Sequence, residues 1–240
     1  MNPVEGYPAL YIENEEILVI ADLHIGIEYE FWEKGINMGT KTDKIIEDVK
    51  RVISKVGARK LLIIGDLKHS IPSSPRTEVG EVERFVREVS QQVDIMLVPG
   101  NHDGNIEDIV SDSVKVLPSH GVVINSTGFV HGHRWPHEDV MLADTLVVAH
   151  THPTFSLKDS FGYRFIERCW VIAKPNIEEL ESRYQDVNIQ KIIVIPAFNQ
   201  LCGGVCVNEE GFIGVVDKII SKKDIEIFLL DGTYLGMLNR

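Results

Sequence analysis

Seven residues in this chain are of the types that hold a pair of divalent metal ions, and each stands at the tip of an apolar run. In order they are Asp22 and His24, Asp66, Asn101, His131, then His150 and His152. Carboxylates, imidazoles and one amide make a mixed oxygen and nitrogen donor set without thiolate. Such a set suits Mn, Fe or Zn and argues against a calcium cage. The chemistry it points to is that of a binuclear metal centre.

Residues so far apart in sequence need a scaffold that gathers them. The runs that precede them, residues 17–21, 61–65, 95–100, 129–130 and 146–149, read as short buried strands. Strands laid side by side bring their ends to one edge, and crevices outside the carboxyl ends of strands are where open α/β sheets bind ligands. Between the strands the pattern turns helical. Ile45, Val49, Val52, Ile53 and Val56 mark one face of a helix beginning near Thr42, and Val79, Val82, Phe85, Val86 and Val89 repeat that spacing. The first hundred residues therefore predict β-α-β-α-β, a sheet with helices packed on its faces. After residue 110 short strands and turns take over. A helix is expected over 177–184, a strand over 192–195, and glycine-punctuated strands run through Leu235.

Composition bounds the function. With 240 residues the chain suits one large domain, a motif-bearing core over 17–153 completed by 154–240. No apolar run approaches the roughly 20 residues of a membrane span, and residues 1–11 lack both a basic start and an apolar core, so a cytoplasmic protein is expected. Cys169, Cys202 and Cys206 form no paired framework and are expected to be free thiols. Cys202 and Cys206 have no second pair to complete a metal site. A formal charge of -12 disfavours a broad, sequence-blind nucleic-acid groove. Cations bound in one crevice would still attract a phosphate, leaving small phosphoesters or nucleic-acid strand ends as substrates.

The spacing of the site residues adds geometry. In Asp22-Leu23-His24 and His150-Thr151-His152, side chains two apart share one side of an extended strand and can grip one ion. In Gly65-Asp66-Leu67-Lys68-His69 and Gly100-Asn101-His102-Asp103, a glycine after an apolar strand permits a tight turn, and the next residue projects from the tip. An aspartate there can bridge two cations.

This ordered series resembles the calcineurin-like metallophosphoesterase superfamily over residues 17–153, with His131-Gly132-His133 and Ala149-His150-Thr151-His152 completing it. Ala149 stands where the family usually has glycine. The resemblance implies an α/β fold, a four-layer α-β-β-α sandwich of two mixed sheets flanked by helices, with a β-rich C-terminal portion. It implies that Asp22, His24, Asp66 and His152 hold a first ion, and that Asp66 bridges to a second held also by Asn101, His131 and His150. Manganese is the metal expected. The likeness favours His131 over His133 as the ligand, leaving His133 as a neighbouring donor. The phrase 65–69 ends in His69 where many relatives have aspartate. In this it is similar to the branch containing double-strand-break repair nucleases, whose matching histidine takes part in phosphodiester cleavage.

The mechanism so implied is hydrolysis of a phosphoester by metal-activated water, with no protein nucleophile. Ser70, Ser73 and Ser74 have no partner base and are expected to form a turn with Pro72 and Pro75. His102 is the expected leaving-group acid, Asp103 would orient it, and His69 would assist. Arg134 is a candidate for phosphate contact. Tyr29, Phe31 and Trp32 are expected to pack in the core rather than stack on a base, and Trp135-Pro136 to close the loop after His131. Three functions compete: a phosphodiesterase or nuclease, a phosphomonoesterase or nucleotide hydrolase, and a non-catalytic scaffold. His102 and the full ligand set argue against the scaffold.

Overall fold

The computed structural model describes residues 1–72 and 74–239. Its first sheet has six strands in the order β1 (Asn2–Pro3), β2 (Leu10–Ile12), β3 (Ile17–Ile20), β4 (Lys60–Ile64), β5 (Asp94–Val98) and β6 (Val114–Val116). β3 to β6 run parallel, while β1 and β2 add an antiparallel margin. The helices of this half are α1 (Ile27–Glu33), α2 (Thr42–Val56), α3 (Arg76–Val89) and α4 (Glu107–Val110).

The second sheet is built from β7 (Val122–Ile124), β8 (Thr127–Val130), β9 (Thr145–Val148), β10 (Pro153–Lys158), β11 (Arg164–Ala173), β12 (Lys191–Val194) and β13 (Val205–Cys206). Its order is β13-β10-β11-β12-β9-β8-β7, and β14 (Ile225–Leu229) pairs with β11 and with β15 (Tyr234–Leu238). Parallel pairs β8-β9 and β9-β12 sit among antiparallel ones, so this sheet is mixed as well. Its helices are α5 (Glu138–Met141), α6 (Ile177–Glu181) and α7 (Gly214–Ile219).

Three apolar clusters show the layering. Leu18 and Ile20 of β3 pack with Ile45, Val49 and Val52 of α2 and Val82 and Phe85 of α3. Ile17 and Val19, on the other face of β3, join Leu62, Ile64, Phe129, Val147 and Trp170 between the sheets. Leu146 and Val148 of β9 face outward onto Val140, Leu180 and Val216 of α5, α6 and α7. These are the interfaces of a four-layer α-β-β-α sandwich. Strands buried on both faces read as unbroken apolar runs, and that is why their sequences lack alternation. α2 stops at Gly57, whose φ of 71° lets its N–H cap the Ile53 carbonyl.

Three local expectations are corrected. Trp32 is 61% exposed and Tyr29 and Phe31 are only half-buried, so this trio is not core: α1 buries its opposite face through Ile27 and Glu28. The C-terminal stretch holds α7 as well as strands, because Val215, Val216 and Ile219 form a helical face seated on the second sheet. The helix at 177 ends at Glu181 rather than 184, and the Tyr184 hydroxyl leaves it to donate to the Pro136 carbonyl at 2.7 Å.

Candidate metal centre

Asp22 follows the end of β3, Asp66 the end of β4, His131 the end of β8 and His150 the end of β9, and backbone bonds join these tips. Asp22 donates its N–H to the Gly65 carbonyl at 3.1 Å and His24 to the Asp66 carbonyl at 2.8 Å, while Ala149 donates to that of His131 at 2.9 Å. Five of the seven expected ligands lie in the left-handed backbone region: Asp22 at φ 55°, His24 at 41°, Asp66 at 50°, His150 at 67° and His152 at 47°. Residues with side chains avoid this region, and each instance costs on the order of 1–3 kcal/mol. This corrects the expectation of extended Asp-x-His and His-x-His pairs. The chain curls at each strand end, and the curl turns both side chains inward.

Two glycines make room for that convergence. A Cβ on Gly65, whose φ is 95°, would overlap the His131 ring, and one on Gly100 would overlap the Asp66 carboxylate and backbone.

The side chains form one buried ion cluster. Asp22 Oδ1 lies 3.0 Å from His131 Nε2 and 3.4 Å from His152 Nε2, and Asp22 Oδ2 accepts from the His150 N–H at 3.3 Å. Asp66 Oδ2 lies 3.4 Å from His131 Nε2 and 3.5 Å from His24 Nε2, while its Oδ1 accepts the His102 N–H at 2.9 Å. Asp66 is common to two groups whose ligand atoms all lie within 4.8 Å of one another, Asp22-His24-Asp66 and Asp66-His131-His150. Asn101 is exposed and lines a cleft of about 630 Å³ together with His133 and Arg134.

A divalent cation fits these residues. His24 Nε2 and His152 Nε2 are buried without a hydrogen-bond partner, although each faces a carboxylate. A buried polar atom left unpaired costs about 1–3 kcal/mol, and a shared cation would satisfy both nitrogens. Without it, protons balance the charge. Burial works against the Asp22 carboxylate, but His152 and His131 outweigh it and hold it below the usual carboxylate range. Burial likewise opposes charge on His152, yet Asp22 raises it to about 9, and the same carboxylates hold His131 above its ordinary value. His24 is pushed down to about 2, chiefly by burial, and His150 to about 4 by burial and then by His131. Burial raises Asp66.

Around this core the expected roles sort themselves out. His133 Nδ1 lies 3.0 Å from His131 Nδ1, behind the buried ring, and its Nε2 accepts from Arg134 Nε at 2.8 Å. Arg134 also donates to the Ser119 hydroxyl at 3.0 Å. Asp103 does not orient His102: its buried carboxylate accepts the N–H groups of Gly100 at 2.8 Å and Lys68 at 3.2 Å, which pins the turn instead. Burial and the neighbouring Asp66 raise Asp103 to about 6. The His102 ring is held by its Nδ1 contact with the His69 carbonyl. Ser70 donates its hydroxyl to the buried Glu78 at 2.6 Å, and Ser73 lies outside the described residues. Trp135 lies under Arg183, whose guanidinium is 4.0 Å from the ring centroid, so it ties the loop after His131 to the helices of the second half.

Two contributors lie outside the expected site residues. Glu30 Oε2 lies 3.0 Å from His69 Nε2. The segment after Phe198 comes back to the site, where Asn199 Nδ2 donates to the Leu23 carbonyl at 2.8 Å and the Gly203 carbonyl meets His152 Nδ1 at 2.9 Å. Cys202 lies with His24 and His152, apart from Cys206, and burial pushes its thiol well up. All three cysteines are free.

The sequence profile of the calcineurin-like phosphoesterase family matches residues 16–190. Among solved structures, the nuclease MPE of Pseudomonas putida superposes with a TM-score of 0.58 at 20% identity, over 93% of this chain and 89% of the other. A phosphoesterase from E. coli, Yfce, superposes with a TM-score of 0.40 at 15% identity, over 92% and 97%. No protein of curated function matches the chain. Among the described residues no helix is long and apolar enough to cross a membrane.

Proposed function

The chain belongs to the calcineurin-like phosphoesterase family, a family of metal-dependent hydrolases, and on that premise we propose that it hydrolyses a phosphodiester with two bound divalent cations. Asp22, His24, Asp66 and His152 would hold the first, and Asp66, Asn101, His131 and His150 the second, with manganese the preferred metal. The observation that carries this reading is the pair of orphaned nitrogens, His24 Nε2 and His152 Nε2, buried against the two carboxylates. When bound, the cations neutralise phosphoryl charge and make water a competent nucleophile near neutral pH.

The protein's own part is positioning and proton transfer. A carbonyl can only accept, so the His69 carbonyl fixes the proton of His102 on Nδ1 and leaves Nε2 for the substrate side. Protonated at Nε2, His102 would donate to the departing oxygen. Its backbone N–H meanwhile donates to Asp66 Oδ1, which ties the acid to a carboxylate that would hold the cations. His69, ending the 65–69 phrase, supports a diester over a monoester substrate, a nucleic-acid end included. The same reading takes 1–240 as one domain, in which 154–240 supplies the wall behind His152.

The test is a substrate panel on the manganese-loaded protein. Bis-p-nitrophenyl phosphate and short nucleic acids should turn over faster than p-nitrophenyl phosphate. Preference for the monoester would replace the diester reading with a phosphomonoesterase. No turnover with manganese, iron or zinc would sink both in favour of a scaffold.

A further inference from the structure

Glu30 stands on α1, six residues beyond His24, and both of its oxygens are engaged. Oε1 accepts from Lys34 Nζ at 2.6 Å, and Oε2 lies 3.0 Å from His69 Nε2. The other nitrogen of that ring, His69 Nδ1, lies 3.2 Å from His24 Nδ1. Three side chains thus form a line, Glu30 to His69 to His24, that ends on the buried and unpartnered His24 Nε2, 3.5 Å from Asp66.

With both imidazoles neutral, donor and acceptor rules leave one consistent arrangement of hydrogens. A neutral imidazole carries its proton on one nitrogen and a lone pair on the other. To bind a cation His24 must be the neutral imidazole. The Glu30 carboxylate only accepts, so His69 donates from Nε2. In neutral His69 that leaves Nδ1 as a lone pair, and the proton in the contact between the two rings must come from His24 Nδ1. His24 Nε2 is then a lone pair aimed at Asp66. The reverse order would set a His69 lone pair against the Glu30 carboxylate. It would also place an N–H on His24 Nε2, where a cation ligand must be bare.

Resting on the reading of His24 as a metal ligand, we propose that Glu30 is a positioning residue. Through His69, it fixes His24 in the tautomer whose Nε2 is free to bind a cation. Carboxylate partners of ligating histidines act in this way, and losing one typically weakens metal binding about 10- to 100-fold. Here the carboxylate acts through an intervening ring and its side chain is 47% exposed, so the effect belongs at the lower end.

Manganese titration calorimetry on the metal-free protein separates the possibilities. Glu30→Ala should weaken binding about tenfold. Glu30→Gln, whose carbonyl oxygen still accepts from His69 Nε2–H, should restore most of the loss. Ring ¹⁵N–¹H spectra of the metal-free wild type should show His24 protonated at Nδ1 and His69 at Nε2, and Glu30→Ala should abolish that pattern. Wild-type affinity in Glu30→Ala overturns the proposal, as does Glu30→Gln binding no better than Glu30→Ala, or a wild-type His24 protonated at Nε2. Failure of the wild type to take up manganese overturns the metal reading along with it.

Discussion

The first sheet delivers Asp22, His24 and Asp66 from the ends of β3 and β4, whereas the second delivers His131, His150 and His152 from the ends of β8 and β9. Both carboxylates of the expected ligand set come from one side and most of the imidazoles from the other. The carboxylates are essentially fully buried, with Asp22 at 0% and Asp66 at 1% exposure. A buried charge without a partner is strongly destabilising. In the metal-free protein the partners are His131 and His152, both raised because they face Asp22. The second sheet therefore supplies protons where the site is built for cations, and metal uptake should release them.

The sharpest way to break this comparison is to remove one residue from each side. Asp66 touches His24, His131 and the His102 backbone, so Asp66→Ala should lose both ions and reduce turnover to background. His150 belongs to only one of the two groups that include Asp66, and His150→Ala should retain one ion. Elemental analysis after gel filtration reads both. Two ions in Asp66→Ala would remove it as the bridge, and loss of both in His150→Ala would erase the distinction between the sheets.

A smaller effect is expected where the sequence placed the acid. His102→Ala should keep both metals and lose about 10² to 10⁴ in turnover, the usual worth of general acid catalysis. The readout is kcat on bis-p-nitrophenyl phosphate at measured metal content. A variant with its full metal complement and undiminished kcat would take His102 out of the mechanism.

The two halves also differ in how far they could be read in advance. β3, β4 and β9 were legible because each is buried on both faces, so Ile17–Ile20 and residues 146–149 are unbroken apolar runs with a ligand residue just beyond. Asp103 was misleading. Adjacency to His102 suggests a pair, but the turn after Gly100 sends the carboxylate back to two backbone N–H groups. Glu30 was invisible because a glutamate on an exposed helical face looks like any solvated charge, and its partner His69 lies 39 residues away. The return of 199–204 depends on backbone carbonyls, which every residue has. Trp32 shows the reverse failure: an apolar side chain reads as core, yet the strands were already covered by α2 and α3.

The least disruptive probe of the difference between the sheets is pH. His152 has a folded-state value of about 9 against an ordinary 6.5, so the folded metal-free protein holds a proton that the unfolded chain releases sooner. Stability then falls with rising pH wherever the unfolded state binds fewer protons. The contribution of His152 is fully present below about pH 6.5 and is lost as pH climbs through 9. The Tm of chelator-treated protein should therefore decline between these limits, and His152→Asn should flatten the decline. Bound cations would occupy the place of that proton, so the manganese-loaded protein should show little of this slope. An equal slope with and without metal would mean that His152 keeps its proton in the loaded state, and a ligand cannot do that.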